Sequence, residues 1–202
     1  MTLTLPASAV DPKTDPNWQF AIYVPGRSRS KGSQEKRYRR YGNKTVVHLV
    51  EREATNQWVA KCAGFAMQER MRRQARGDRS FPYEERMKLW SLFVYDRPKS
   101  SSTPSPTGKT VYGDLEKLIR SVADALCPGT FVCKWPDGTE EVVAKAEVIA
   151  DDSLITRFGE PAKAFSDETE QNLPAGAYLL LTRAPDDKID GSLYTYRSPG
   201  SV

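Results

Sequence analysis

The stretch Lys88-Leu89-Trp90-Ser91-Leu92-Phe93-Val94-Tyr95 decides the fold. Its apolar residues follow one another with almost no polar relief, which is the pattern of a strand covered on both faces, and it is read as central in a sheet. Downstream, residues 97–110 are rich in Pro, Ser and Lys and read as a loop. Asp114 to Leu126 then returns to helical spacing, with Leu115, Leu118, Ile119, Val122 and Leu126 on the buried face and Cys127-Pro128-Gly129 as the stop. Trp135-Pro136-Asp137-Gly138 reads as a turn, and Glu141 to Ile149 as a strand delivering its end to Asp151-Asp152. Ala177 to Thr182 is expected to be a last short strand. Upstream, Trp18 to Val24 reads as a strand that ends at Pro25-Gly26 and enters a basic loop, and Thr45 to Leu49 as a second strand. Glu51 to Arg76 has the pattern of a long amphipathic helix, with Ala54, Trp58, Cys62 and Phe65 on one stripe and Val59 and Ala66 beside it.

Around this framework the chain of 202 residues, 39% hydrophobic and 28% charged, reads as one soluble domain. No apolar run approaches the ~20 residues of a membrane span. Met1 to Pro16 has no basic segment followed by an apolar one, so it reads as a flexible polar arm and the protein is expected in the cytoplasm. Residues 17–183 form the domain, and 184–202 form a polar tail expected to be disordered. Cys62, Cys127 and Cys133 show no paired spacing, and His48 is the one histidine, so a zinc site is not expected. The cysteines should be reduced and structural, and His48 a strand residue. No internal repeat is present.

The formal charge of +4 is modest, but it is unevenly distributed. Arg27, Arg29, Lys31, Lys36, Arg37, Arg39, Arg40 and Lys44 face a single acid, Glu35, within one run, and Tyr38 and Tyr41 are interleaved with them. Cations for phosphates together with rings for unstacked bases are the composition of a nucleic-acid surface; a solvated loop is the ordinary alternative. Arg70, Arg72, Arg73 and Arg76 before Gly77 suit a helix C-terminus and offer a second basic patch.

Two acidic clusters lie at element ends: Asp114 with Glu116 at a helix start, and Asp151 with Asp152 at a strand end. Glu116, Arg120 and Asp124 share one polar stripe. Hard cations such as magnesium take carboxylate oxygens and keep waters, so acids from both ends could serve one ion. The same residues also have ordinary uses: Asp114 as an N-cap, the stripe as surface ion pairs, and Asp151-Asp152 as a turn.

In this order the motifs resemble the RusA-type crossover junction endodeoxyribonucleases. The matching elements are Val24-Pro25-Gly26 with the basic run, Leu89 to Tyr95, Asp114-Leu115-Glu116-Lys117 leading to Asp124-Ala125-Leu126, and Asp151-Asp152-Ser153-Leu154-Ile155. The resemblance spans Trp18 to Phe165 and is carried by the two acidic motifs together. Glu116 stands where the family has Asp, Lys117 where it has Asn, and Arg120 where it has Lys. An arginine can hold a phosphate bidentately but cannot release its proton.

The resemblance implies an α+β fold, a single domain with a mixed β-sheet and flanking helices. It implies a homodimer that cuts Holliday junctions or other branched DNA by phosphodiester hydrolysis. Asp114, Glu116, Asp151 and Asp152 would hold Mg2+, for which Mn2+ could substitute, and Arg120 would complete the catalytic set. The basic run would bind DNA. The competing expectation is a DNA-binding protein on the same fold without cleavage.

Overall fold

The computed structural model describes residues 19–30, 35–41, 44–50, 53–99, 106 and 114–184, with 35–41 and 44–50 at the level of the backbone. The arm, most of the tail, Lys31 and most of the 97–110 loop lie outside the described residues. The fold is α+β. Its strands are β1 (Phe20–Pro25), β2 (Glu35–Tyr41), β3 (Lys44–Val50), β4 (Met87–Tyr95), β5 (Thr130–Lys134), β6 (Glu140–Ala144), β7 (Ile155–Phe158), β8 (Ala162–Phe165) and β9 (Gly176–Arg183). The helices are α1 (Glu53–Ala75) and α2 (Leu115–Leu126).

β4 is central, as its uninterrupted apolar run requires. β9 pairs with one of its edges antiparallel and carries β1 beyond it, while β7 and β8 pair parallel with successive parts of the other edge. The sheet is therefore mixed and five-stranded. Alternation along β4 sends Met87, Leu89, Phe93 and Tyr95 into the main core, with Trp58, Cys62 and Ala66 of α1 and Leu118, Val122 and Leu126 of α2. Leu92 and Val94 point the other way and pack with Ala164. Both helices thus cover one face of the sheet. Among the described residues no helix is long and apolar enough to cross a membrane, and all three cysteines are free and buried.

Several expectations need correction. The basic loop contains a strand, β2, which pairs residue for residue with β3. Ala54 is exposed rather than part of the buried stripe. The strand expected over Glu141 to Ile149 ends at Ala144. Ala146, Val148 and Ile149 are fully buried, yet their backbone N–H groups donate to Ala125 and Leu126 at the end of α2, at 3.0, 2.8 and 3.2 Å. This segment satisfies its donors on a helix terminus, where carbonyls are left over, instead of on a neighbouring strand. The last strand is longer than expected, at 8 residues, because it pairs on both sides.

Three of the arginines at the end of α1 are held in ion pairs. Arg70 pairs with Glu147 at 3.1 Å, Arg72 with Glu69 at 2.5 Å and Arg73 with Asp78 at 2.7 Å. Burial alone would raise the Asp78 carboxyl, but hydrogen bonds from Ser80 and the Arg73 guanidinium hold it below the usual carboxylate range. A depressed folded-state pKa contributes stability that is present above the unfolded value and lost as pH falls through the folded one. Asp78→Asn is therefore expected to flatten the drop in melting temperature below about pH 4, followed by calorimetry across that range. An unchanged acid limb would show that this loop contributes nothing to it.

Candidate nucleic-acid interface and acidic site

The approach of the basic run to the helices is set by two short hydroxyl contacts. Gly26, with φ of +94°, turns the chain after Pro25. Thr55 Oγ1 of α1 then donates to the Ser30 carbonyl at 3.2 Å, and Ser121 Oγ of α2 lies 3.1 Å from the Arg29 carbonyl. The backbone that opens the basic run is thus laid across both helices. Arg27 and Arg29 are exposed there, and Ser121 directly follows Arg120. Lys36, Arg37, Arg39, Arg40 and Lys44 continue the run on β2 and β3, where their side chains lie outside the described residues.

Asp114 occupies the N-cap position of α2, with φ −80° and ψ 133°, and its carbonyl accepts the Leu118 N–H at 3.0 Å. Its side chain makes no capping hydrogen bond. The usual reason for Asp at this position, satisfaction of a free N–H in the first turn, is therefore not in use. Glu116, two residues on and about half a turn away, forms an i,i+4 ion pair with Arg120; the two side chains are 71% and 68% exposed. A pair that open to water holds weakly, so either partner can leave it for a phosphate or a cation at little cost.

Asp151 and Asp152 lie elsewhere. Asp151 accepts the Ser153 N–H at 2.8 Å and caps the short 3-10 turn Asp152–Leu154. The Ser153 hydroxyl, together with this backbone bond, holds its carboxyl low. Burial pushes the Cys127 thiol up to about 12, and the charges of Asp152, Asp124 and Asp151 add to the rise. The second acidic cluster therefore stands beside the C-terminal end of α2, close to Cys127. Asp124 there pairs with Lys145 at 2.7 Å.

Asp114 and Glu116 stand at the opposite end of the same helix. A helix of 12 residues rises about 18 Å, so the two clusters are set at its two ends and do not converge. Among the described residues no group of three or more His, Cys, Asp or Glu is gathered as metal ligands would be. The four carboxylates expected for magnesium thus stand as two pairs at the two ends of α2. The reduced set of Asp114 and Glu116 does fit in chemistry, because magnesium commonly takes one or two carboxylates together with waters and substrate phosphate.

Two further residues of this region lie outside the sequence motifs. Lys163 on β8 is opposite Phe93 of β4; burial lowers its pKa, and the nearby Asp114 charge opposes that shift. No local motif marks this lysine. Ser121 could have been noticed, since it is fully buried and polar among apolar helix positions. Comparison of the chain with protein-family models, with curated proteins and with solved structures gives no match.

Proposed function

We propose that this protein is a magnesium-dependent endonuclease of branched DNA, working as a homodimer in the cytoplasm after the manner of the RusA-type resolvases. The observation that carries the reading is the closeness of Arg29 to α2, with the Ser121 hydroxyl 3.1 Å from the Arg29 carbonyl and 3.0 Å from that of Lys117, which starts the basic run on the helix that also presents Asp114, Glu116 and Arg120. Cations for a phosphate backbone and carboxylates for a metal then share one element. Carboxylates placed beside DNA repel it unless a cation intervenes, so a surface built only for binding has no use for them.

In this reading Asp114 and Glu116 hold the ion. When bound, it lowers the pKa of a water and offsets charge on the phosphate oxygens. Arg120 leaves Glu116 and grips the scissile phosphate bidentately, at the cost of one weak surface pair. Lys163, partly removed from water beside Asp114, adds fixed positive charge next to the reacting phosphate. Arg27 to Lys44 track the arms of the substrate. Asp151 and Asp152 are given no part in the chemistry.

A second reading, a DNA-binding protein without cleavage, draws on the separation of the two acidic clusters along α2. Incubation with a labelled four-way junction, with and without magnesium, separates the two. Paired nicks only with magnesium are expected; a shifted but uncut junction under both conditions would favour the binder, and neither binding nor cutting would overturn both. Neutralising Arg37, Arg39 and Arg40 together is expected to weaken binding to any DNA. It should also reduce the log-log salt slope by about 0.9 for each phosphate that the variant no longer neutralises, and an unchanged slope would remove this run from the interface.

A further inference from the structure

The β5–β6 hairpin has one face whose burial is accounted for and one whose exposure is not. Phe131 packs against the core, Val143 opposite it is half-buried, and Cys133 is fully buried. The outer edge of β5 is closed by α1, with Asn56 Nδ2 donating to the Val132 carbonyl at 3.3 Å and Gln57 Nε2 to that of Lys134 at 2.7 Å. The opposite face turns Val132 and Val142, directly paired across the strands, toward water at 55% and 68% exposure. Two branched apolar side chains held side by side on a paired backbone cannot fold away from solvent. Lys134 opposite Glu140 flanks them at one end, its ammonium also 4.0 Å from the Glu53 carboxylate of α1 and still half-exposed, and Thr130 opposite Ala144 flanks them at the other.

We propose that this outward face is a twofold contact with a second copy of the chain. The arrangement of charge chooses both the occupant and the axis. With a twofold axis parallel to the strands, β5 lies over β6 of the other copy. Val132 then meets the partner's Val142 and the reverse, and Lys134 meets the partner's Glu140 twice, once on each side of the axis. With the axis across the strands, each charged residue would face Thr130 or Ala144 and no charge would be matched. The face is complementary to itself in one orientation, as an isologous contact must be. Two strands of 5 residues make a patch smaller than the ~800 Å² per partner of a standard interface, so the association belongs with the weak, concentration-dependent ones.

The contact gives a place to the pairing that paired incision requires, and it is tested without DNA so that it and the nuclease reading fail separately. Sedimentation velocity of the full chain, from about 1 µM to about 1 mM, is run on wild type, on Lys134→Glu, on Glu140→Lys and on an equimolar mixture of the two variants. Melting curves confirm that each variant is folded, and Val142→Thr reads the same contact without a charge change. Wild type is expected to dimerise as concentration rises. Each single variant should weaken dimerisation at least about tenfold, since like charges then face each other twice, and the mixture should restore it as a one-to-one heterodimer. A wild type that stays monomeric, a dimer that neither the charge variants nor Val142→Thr weaken, or a mixture that remains monomeric would each overturn the proposal.

Discussion

Asp114→Asn is expected to lower magnesium-dependent cleavage of a four-way junction by at least about 100-fold while leaving the fold in place. The two halves of this expectation come from different observations. Asp114 stands at the start of α2 with no side-chain capping bond, so the roughly 1 kcal/mol that such a cap contributes is not there to lose. The amide keeps the shape of the carboxylate, and the backbone bond from Leu118 N–H to the residue 114 carbonyl at 3.0 Å does not depend on the side chain. The charge, in contrast, is what a magnesium ion would require. Junction affinity should persist or tighten, because one anion beside the phosphates is gone. Thermal melting, junction binding and cleavage measured on one preparation check all three. Wild-type cleavage would remove Asp114 from the chemistry, and most of the case for an enzyme with it.

The same change at Asp152 is informative because the fold separates what the sequence motif joins. Asp152 stands near Cys127 at the far end of α2, so Asp152→Asn is expected to leave cleavage within about threefold of wild type, a loss under 1 kcal/mol in the barrier. A collapse equal to that of Asp114→Asn would mean that both clusters serve one reaction despite the length of the helix between them.

The elements that were legible are those whose burial repeats over many residues. β4 shows nine residues with burial on both faces, and α2 shows a regular apolar stripe; each states its own environment in its own sequence. β7 and β8, at four residues each, are too short to show a period. Ala146 to Ile149 misled for a different reason: an apolar run reports burial, not the identity of the hydrogen-bond partner, and here the partner is a helix end. The candidate site divides in the same way. Glu116 and Arg120 are four residues apart on one helix, so their pairing follows from local geometry, and Asp114 stands at the start of the same helix. The distance from Asp114 to Asp151 and the closeness of Lys163 to Asp114 depend on how strands far apart in sequence are registered, which no spacing rule contains.

Phe93→Ala tests the framework on which that site rests and is expected to cost about 3–5 kcal/mol. Phe93 is fully buried near the middle of β4, opposite Lys163 of β8 on one side and Ala177 of β9 on the other. Its ring belongs to the core shared with Trp58 and Cys62 of α1 and with Leu118 and Val122 of α2. A strand hydrogen-bonded along both edges cannot move to fill the space that the ring leaves, so the loss includes a cavity as well as the transfer of the removed atoms. Against a total of about 5–15 kcal/mol for an ordinary domain, this leaves a marginal protein. Urea unfolding should show a lower midpoint with an unchanged slope, and Phe93→Leu should recover most of the difference, since it loses less volume. Cleavage should fall together with the folded fraction, unlike Asp114→Asn, in which it falls while melting is unchanged. A loss below about 1 kcal/mol would show that the ring is not enclosed between the sheet and the two helices, and the placement of α2 over β4 and β8 would have to be abandoned.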